Sequence, residues 1–120
     1  MTSQSPAGHA RKALSSLAAK LAAARVEEGL CADRLASIES DLALNRIRLE
    51  EAASSETQLP AHTSILLRQR VADLMEVRSS LIAERARRRR EIDEMTQRQE
   101  AIDAALAVLR ARTEPRLAAT

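Results

Sequence analysis

Two long heptad stripes, separated by a short Pro-containing break, constrain this chain more than any other feature. From Leu14 to Ala52, alternating steps of three and four pick out Leu14, Leu17, Leu21, Ala24, Glu28, Cys31, Leu35, Ile38, Leu42, Asn45, Leu49 and Ala52. Only Glu28 and Asn45 in that series are polar. A second stripe runs Leu67, Val71, Leu74, Arg78, Leu81, Arg85, Arg88, Ile92, Met95, Gln99, Ile102, Leu106 and Leu109. A 3.5-residue repeat held this long draws one narrow seam down a helix, and a narrow seam needs a partner helix to cover it.

Composition narrows the choice further. The chain of 120 residues has no Phe, Tyr or Trp, the side chains that supply much of the bulk of a wide core. Two glycines and three prolines leave few turns, and Ala, Leu, Arg and Glu dominate, as in long helices and coiled coils. The fold class expected is all-α, an elongated antiparallel two-helix coiled-coil hairpin.

The break is the segment SSETQLPAHTS, residues 54–64. Pro60 disfavours a helical Leu59, and Thr63 or Ser64 suits an N-cap. The spacing predicts a flexible segment over 1–9, with Ser5 before Pro6 able to cap an early turn. A helix is expected over about 10–56, a turn over about 57–63, a second helix over about 64–112 and a tail over 113–120. The helices would measure roughly 70 Å and 73 Å at 1.5 Å per residue. Gly29 falls inside the first, off the seam, where it costs about 1 kcal/mol without breaking the helix. So short a connection makes the two helices antiparallel neighbours. With the turn centred near residue 60, facing residue numbers total about 120. Leu49 then faces Val71, Ile38 faces Leu81 or Ile82, Leu17 faces Ile102, and Glu28 comes near the turn Arg88–Ile92.

Catalytic patterns fail one by one. His9 and His62 sit in the opening segment and the turn, with no second ligand at metal spacing. The two glycines are too far apart to cradle a phosphate, and no Ser-His-Asp or Cys-His pattern occurs. Carboxylate neighbours such as Glu50–Glu51 and Asp93–Glu94 are ordinary helix-surface pairs that a single-layer rod cannot desolvate. A non-enzymatic chain without metal or cofactor is expected. Cys31 is the sole cysteine, which excludes an internal disulfide, reads as a buried structural thiol and fits a cytoplasmic setting. No apolar run reaches the length of about 20 residues needed to cross a bilayer. Residues 1–26 lack acids and loosely resemble a targeting segment, but Lys20 interrupts the apolar core such a segment needs.

Two surface features point to partners. The run Arg85, Arg87, Arg88, Arg89 and Arg90 reads either as an electropositive collar for an acidic surface or as charge pairing with nearby acids, Glu27 and Glu28 among them. The formal charge of +2 and the lack of aromatic stacking groups disfavour nucleic acid. Apolar residues off the seam are dense near the turn, where Leu44, Ile47, Ile65, Leu66 and Met75 suggest a docking patch or a homodimer contact.

Length, the two stripes, the TQLPAHTS break and the recurring Arg46–Ile47–Arg48, Arg68–Gln69–Arg70 and Arg110–Ala111–Arg112 surface together resemble the central-stalk family of type III secretion systems, the FliJ/SctO-like proteins. The likeness is architectural, covers about residues 10–112 and carries no residue roles. It implies a coiled-coil stalk that couples a hexameric secretion ATPase ring to the export gate and meets export chaperones, in the cytoplasm or at the inner face of the membrane. The residues alone leave open a generic coiled-coil adaptor, dimerisation or helical chaperone module and, third, an anionic-membrane or nucleic-acid binder.

Overall fold

A computed structural model describes residues 5–54 and 60–118. Two helices account for the architecture, α1 over Pro6–Ser54 and α2 over Ala61–Ala118. The fold is an all-α helical hairpin, with no strand among the described residues.

Local chemistry sets the helix starts. Ser5 caps α1: its Oγ accepts from the Gly8 backbone N–H at 3.1 Å, and its carbonyl accepts from His9 N–H at 3.0 Å. Pro6 then occupies the first helical position, where a missing N–H costs nothing. The helix therefore begins four residues before Ala10, and residues 6–9 belong to it instead of to a flexible segment. Helix α2 also starts early. The Pro60 carbonyl accepts from Thr63 and Ser64 at 2.9 Å and 3.2 Å, so Pro60 holds the capping place and both hydroxyl residues lie inside the first turn. A helix tolerates proline at its very start because that position donates no intrahelical bond.

The expected stop at Thr113–Pro115 does not hold, since α2 continues to Ala118. Thr113 Oγ1 donates back to the Leu109 carbonyl at 2.9 Å and to that of Arg110 at 3.1 Å. Its hydroxyl is thereby bound within the helix it was expected to end. The expected end of α1 at Glu56 and residues 57–59 of the expected turn lie outside the described residues, while residues 61–63 belong to α2 and not to the turn.

Every seam position named from the heptad stripes is buried or half-buried, twelve on α1 and thirteen on α2. Among the described residues, the seven buried side chains (Leu21, Cys31, Leu35, Leu42, Leu74, Leu81 and Leu106) are all seam residues. Leu14, Leu21, Glu28, Leu35, Leu42 and Leu49 take heptad position a on α1, while Val71, Arg78, Arg85, Ile92, Gln99 and Leu106 take it on α2.

The chain divides into two compact units, Met1–Glu27 with Arg88–Thr120, and Glu28–Arg87. In the first, Leu21 and Leu106 are buried, and Arg88 Nη1 pairs with Glu27 Oε2. In the second, Cys31, Leu35 and Leu81 form a core cluster with Ile38 packed against it. Antiparallel order is direct there: Cys31 reaches Leu81, whereas Arg46, further along α1, reaches Met75, earlier on α2.

The register lies near the one expected, with most pairs a few residues short of it. Ile38 packs against the cluster that holds Leu81, and paired residue numbers run from 112 for Cys31 and Leu81 and 113 for Glu28 and Arg85 through 117 for Glu39 and Arg78 to 121 for Arg46 and Met75. Glu28 meets Arg85, one helical turn from the Arg88–Ile92 position anticipated. The helix ends Ser54 and Ala61 total 115, so the point of reflection lies nearer residue 57 than Pro60.

Candidate partner-binding surfaces

Polar seam positions are satisfied in two ways. Across the helices, Arg85 Nε donates to Glu28 Oε1 at 2.9 Å and Arg78 Nε lies 3.4 Å from Glu39 Oε1. Asn45 instead donates from Nδ2 to the Asp41 carbonyl of its own helix at 2.7 Å. Among the described residues no buried side-chain nitrogen or oxygen lacks a partner. These contacts fix register more than they add stability, because partly exposed pairs contribute about 0–1 kcal/mol each.

The arginine run is divided by this geometry. Arg85 and Arg88 fall on the seam and are held by Glu28 and Glu27. Arg87, Arg89 and Arg90 are exposed. Arg87 and Arg90 stand three residues apart on the face opposite the seam, and no ion pair joins either among the described residues. Charge pairing thus holds Arg85 and Arg88, while Arg87 and Arg90 lie exposed on the outward face.

The apolar residues near the turn are exposed, as are Val26, Leu30, Val77, Ile82 and Val108. Their heptad positions spread them over different faces. Leu44 and Ile47 take positions c and f, on the back of α1. Leu66 and Ile65 take c and b on α2, and Met75 takes e, beside the seam. Met75 alone borders a groove, a cavity of about 370 Å³ lined also by Glu39, Leu42, Ala43, Arg46 and Arg78. There Arg46 Nη2 meets Met75 Sδ at 3.2 Å, a weak acceptor for a guanidinium. This groove was not foreseen, because two of its walls, Glu39 and Ala43, read as ordinary surface residues until the register is known.

A second cavity, of about 320 Å³, lies in the other unit between the start of α1 and the end of α2. Pro6, Ala7, Leu106 and Leu109 supply its apolar walls.

Cys31 is free and buried, and its thiol donates to the Leu81 carbonyl at 3.4 Å. His9 and His62 are both exposed, on different helices. Among the described residues no group of three or more His, Cys, Asp or Glu could hold a metal ion, and no helix is long and apolar enough to cross a membrane.

Compared with known proteins, the chain matches no family model, no curated protein and no solved structure.

Proposed function

We propose that the chain is a non-enzymatic coiled-coil coupling element, a stalk that links a hexameric type III secretion ATPase to the export gate and offers its outer faces to export chaperones. One observation carries this reading. The two helices spend their whole heptad repeat on each other, leaving Arg87, Arg90 and the large apolar residues on outward faces. Such a pair resists bending and sliding because buried leucines and cross-helix charges fix its register. Two helices side by side measure roughly 20 Å across, which suits the central channel of a ring.

Purified chain added to the cognate secretion ATPase should bind the ring and raise its ATP turnover. Arg87→Glu with Arg90→Glu should weaken that binding while leaving helicity unchanged. A chain that neither binds the ring nor alters its turnover contradicts the proposal.

An adaptor reading is second, favoured by the exposed Leu44, Ile47, Ile65 and Leu66. On that reading these residues anchor other helical proteins, and the ring is indifferent to the chain.

A further inference from the structure

Charge is divided unevenly between the two compact units. The stretch Glu28–Arg87 holds 8 basic and 10 acidic residues, whereas Met1–Glu27 with Arg88–Thr120 holds 11 basic and 7 acidic. The formal charge of +2 thus conceals one unit at +4 and one at −2. Helix α1 has no acid before Glu27 and carries Arg11, Lys12, Lys20 and Arg25 over that length.

Within the basic unit, the cavity of about 320 Å³ is lined by Arg11 and Arg110 together, with Pro6, Ala7, Leu106 and Leu109 as aliphatic walls. Both arginines take heptad position e and share one flank of the seam. Its two hydroxyls are engaged in their own helix: Ser5 Oγ accepts from Gly8 N–H, and Thr113 Oγ1 donates to the Leu109 and Arg110 carbonyls. Among the described residues no acid lines the cavity, and no ion pair joins Arg11 or Arg110. The seam arginines Arg85 and Arg88 each meet a glutamate across the helices, but here arginine faces arginine. Like charges on adjoining flank positions oppose the pairing of the helices. An anion carrying an aliphatic group satisfies both the guanidiniums and the walls.

We propose that this flank docks on an anionic membrane surface, with an acidic lipid head group held between Arg11 and Arg110 and with Pro6 and Leu109 against the methylenes beneath it. A two-helix pair is one layer thick, so the groove stays open on one side. A free aliphatic anion would keep that side of its chain in water, whereas a bilayer closes it with its own interface. A lipid also presents head group and chain as one molecule everywhere on that surface, while a protein must place an acid and an apolar anchor side by side. Arg25 takes position e as well and is exposed, so the cations continue along the flank, and each adds to the attraction of an anionic leaflet. No helix among the described residues can cross a bilayer, which makes the contact peripheral.

The inference goes beyond the coupling reading and does not rest on it, since it needs no ATPase.

Cosedimentation of the purified full chain with vesicles tests it. The chain should bind vesicles of equal parts phosphatidylglycerol and phosphatidylcholine at low salt, and not vesicles of phosphatidylcholine alone. Arg11→Gln with Arg110→Gln should lower the partition coefficient about tenfold or more, without lowering the melting temperature, as neither side chain is paired. Arg87→Gln with Arg90→Gln removes the same charge away from this flank and should change binding by no more than about threefold. A chain that ignores the acidic vesicles overturns the proposal. So does binding that Arg11→Gln with Arg110→Gln leaves intact, or that both double variants lose equally. Binding to polyglutamate as tight as to the acidic vesicles would contradict it in favour of an acidic protein. Uptake of dodecanoate without vesicle binding would contradict it in favour of a soluble ligand.

Discussion

Arg85 and Glu28 form a cross-helix ion pair of 2.9 Å, Nε to Oε1, inside a seam otherwise built largely from leucine. Their side chains keep 32% and 21% of their exposure, so water still screens them. Arg85→Leu alone should destabilise the hairpin by about 1–2 kcal/mol, since it takes a guanidinium donor away from a half-buried carboxylate. Arg85→Leu with Glu28→Leu should recover that loss or exceed wild type, because leucines pack where the charges had to be desolvated. Urea titration of the two variants measures the difference, and a double variant weaker than Arg85→Leu would show that the pair is a net stabiliser.

Core and surface leucines should separate cleanly. Leu74 is 2% exposed and Leu44 is 55% exposed. Leu74→Ala should cost about 2–4 kcal/mol through lost burial and the cavity left behind, whereas Leu44→Ala should stay within about 0.5 kcal/mol. Thermal melts of the purified variants check the contrast.

Gly29 is helical, and a Cβ added there meets nothing within 4 Å. Gly29→Ala should therefore stabilise the hairpin by about 0.5–1 kcal/mol through lower backbone entropy in the unfolded chain and better helix propensity. A rise in melting temperature is the expected result.

Ser5 holds the first turn of α1 through the Gly8 amide. Ser5→Ala should cost about 1 kcal/mol of local stability. Faster amide hydrogen exchange at Gly8 and His9, with little change near Cys31, would report it.

The seam was legible in the sequence because burial in a two-helix pair follows the heptad repeat alone. Leu21, Leu35, Leu74 and Leu106 need no further context to be placed. Helix ends were harder to read, since they depend on single hydrogen bonds. Thr63 and Ser64 have the chemistry of caps, yet the Pro60 carbonyl takes that place. The heptad stripe sets Arg85 and Arg88 on the seam and Arg87 and Arg90 off it, but that Glu28 and Glu27 hold the first two is known only from the pairing of the helices. The groove between Ala43 and Met75 joins residues on two helices, so it too depends on the register.

One chain folded back on itself, with Cys31 against Leu81, underlies all of these expectations, and disulfide trapping tests it directly. Leu81→Cys in the otherwise native chain should oxidise to an intrachain disulfide with Cys31, visible as a compact, reductant-sensitive band at monomer mass on denaturing gels. Leu106→Cys should form no such bond with Cys31. Cross-links running only between chains, or a bond from Cys31 to position 106 in place of 81, would contradict the antiparallel hairpin.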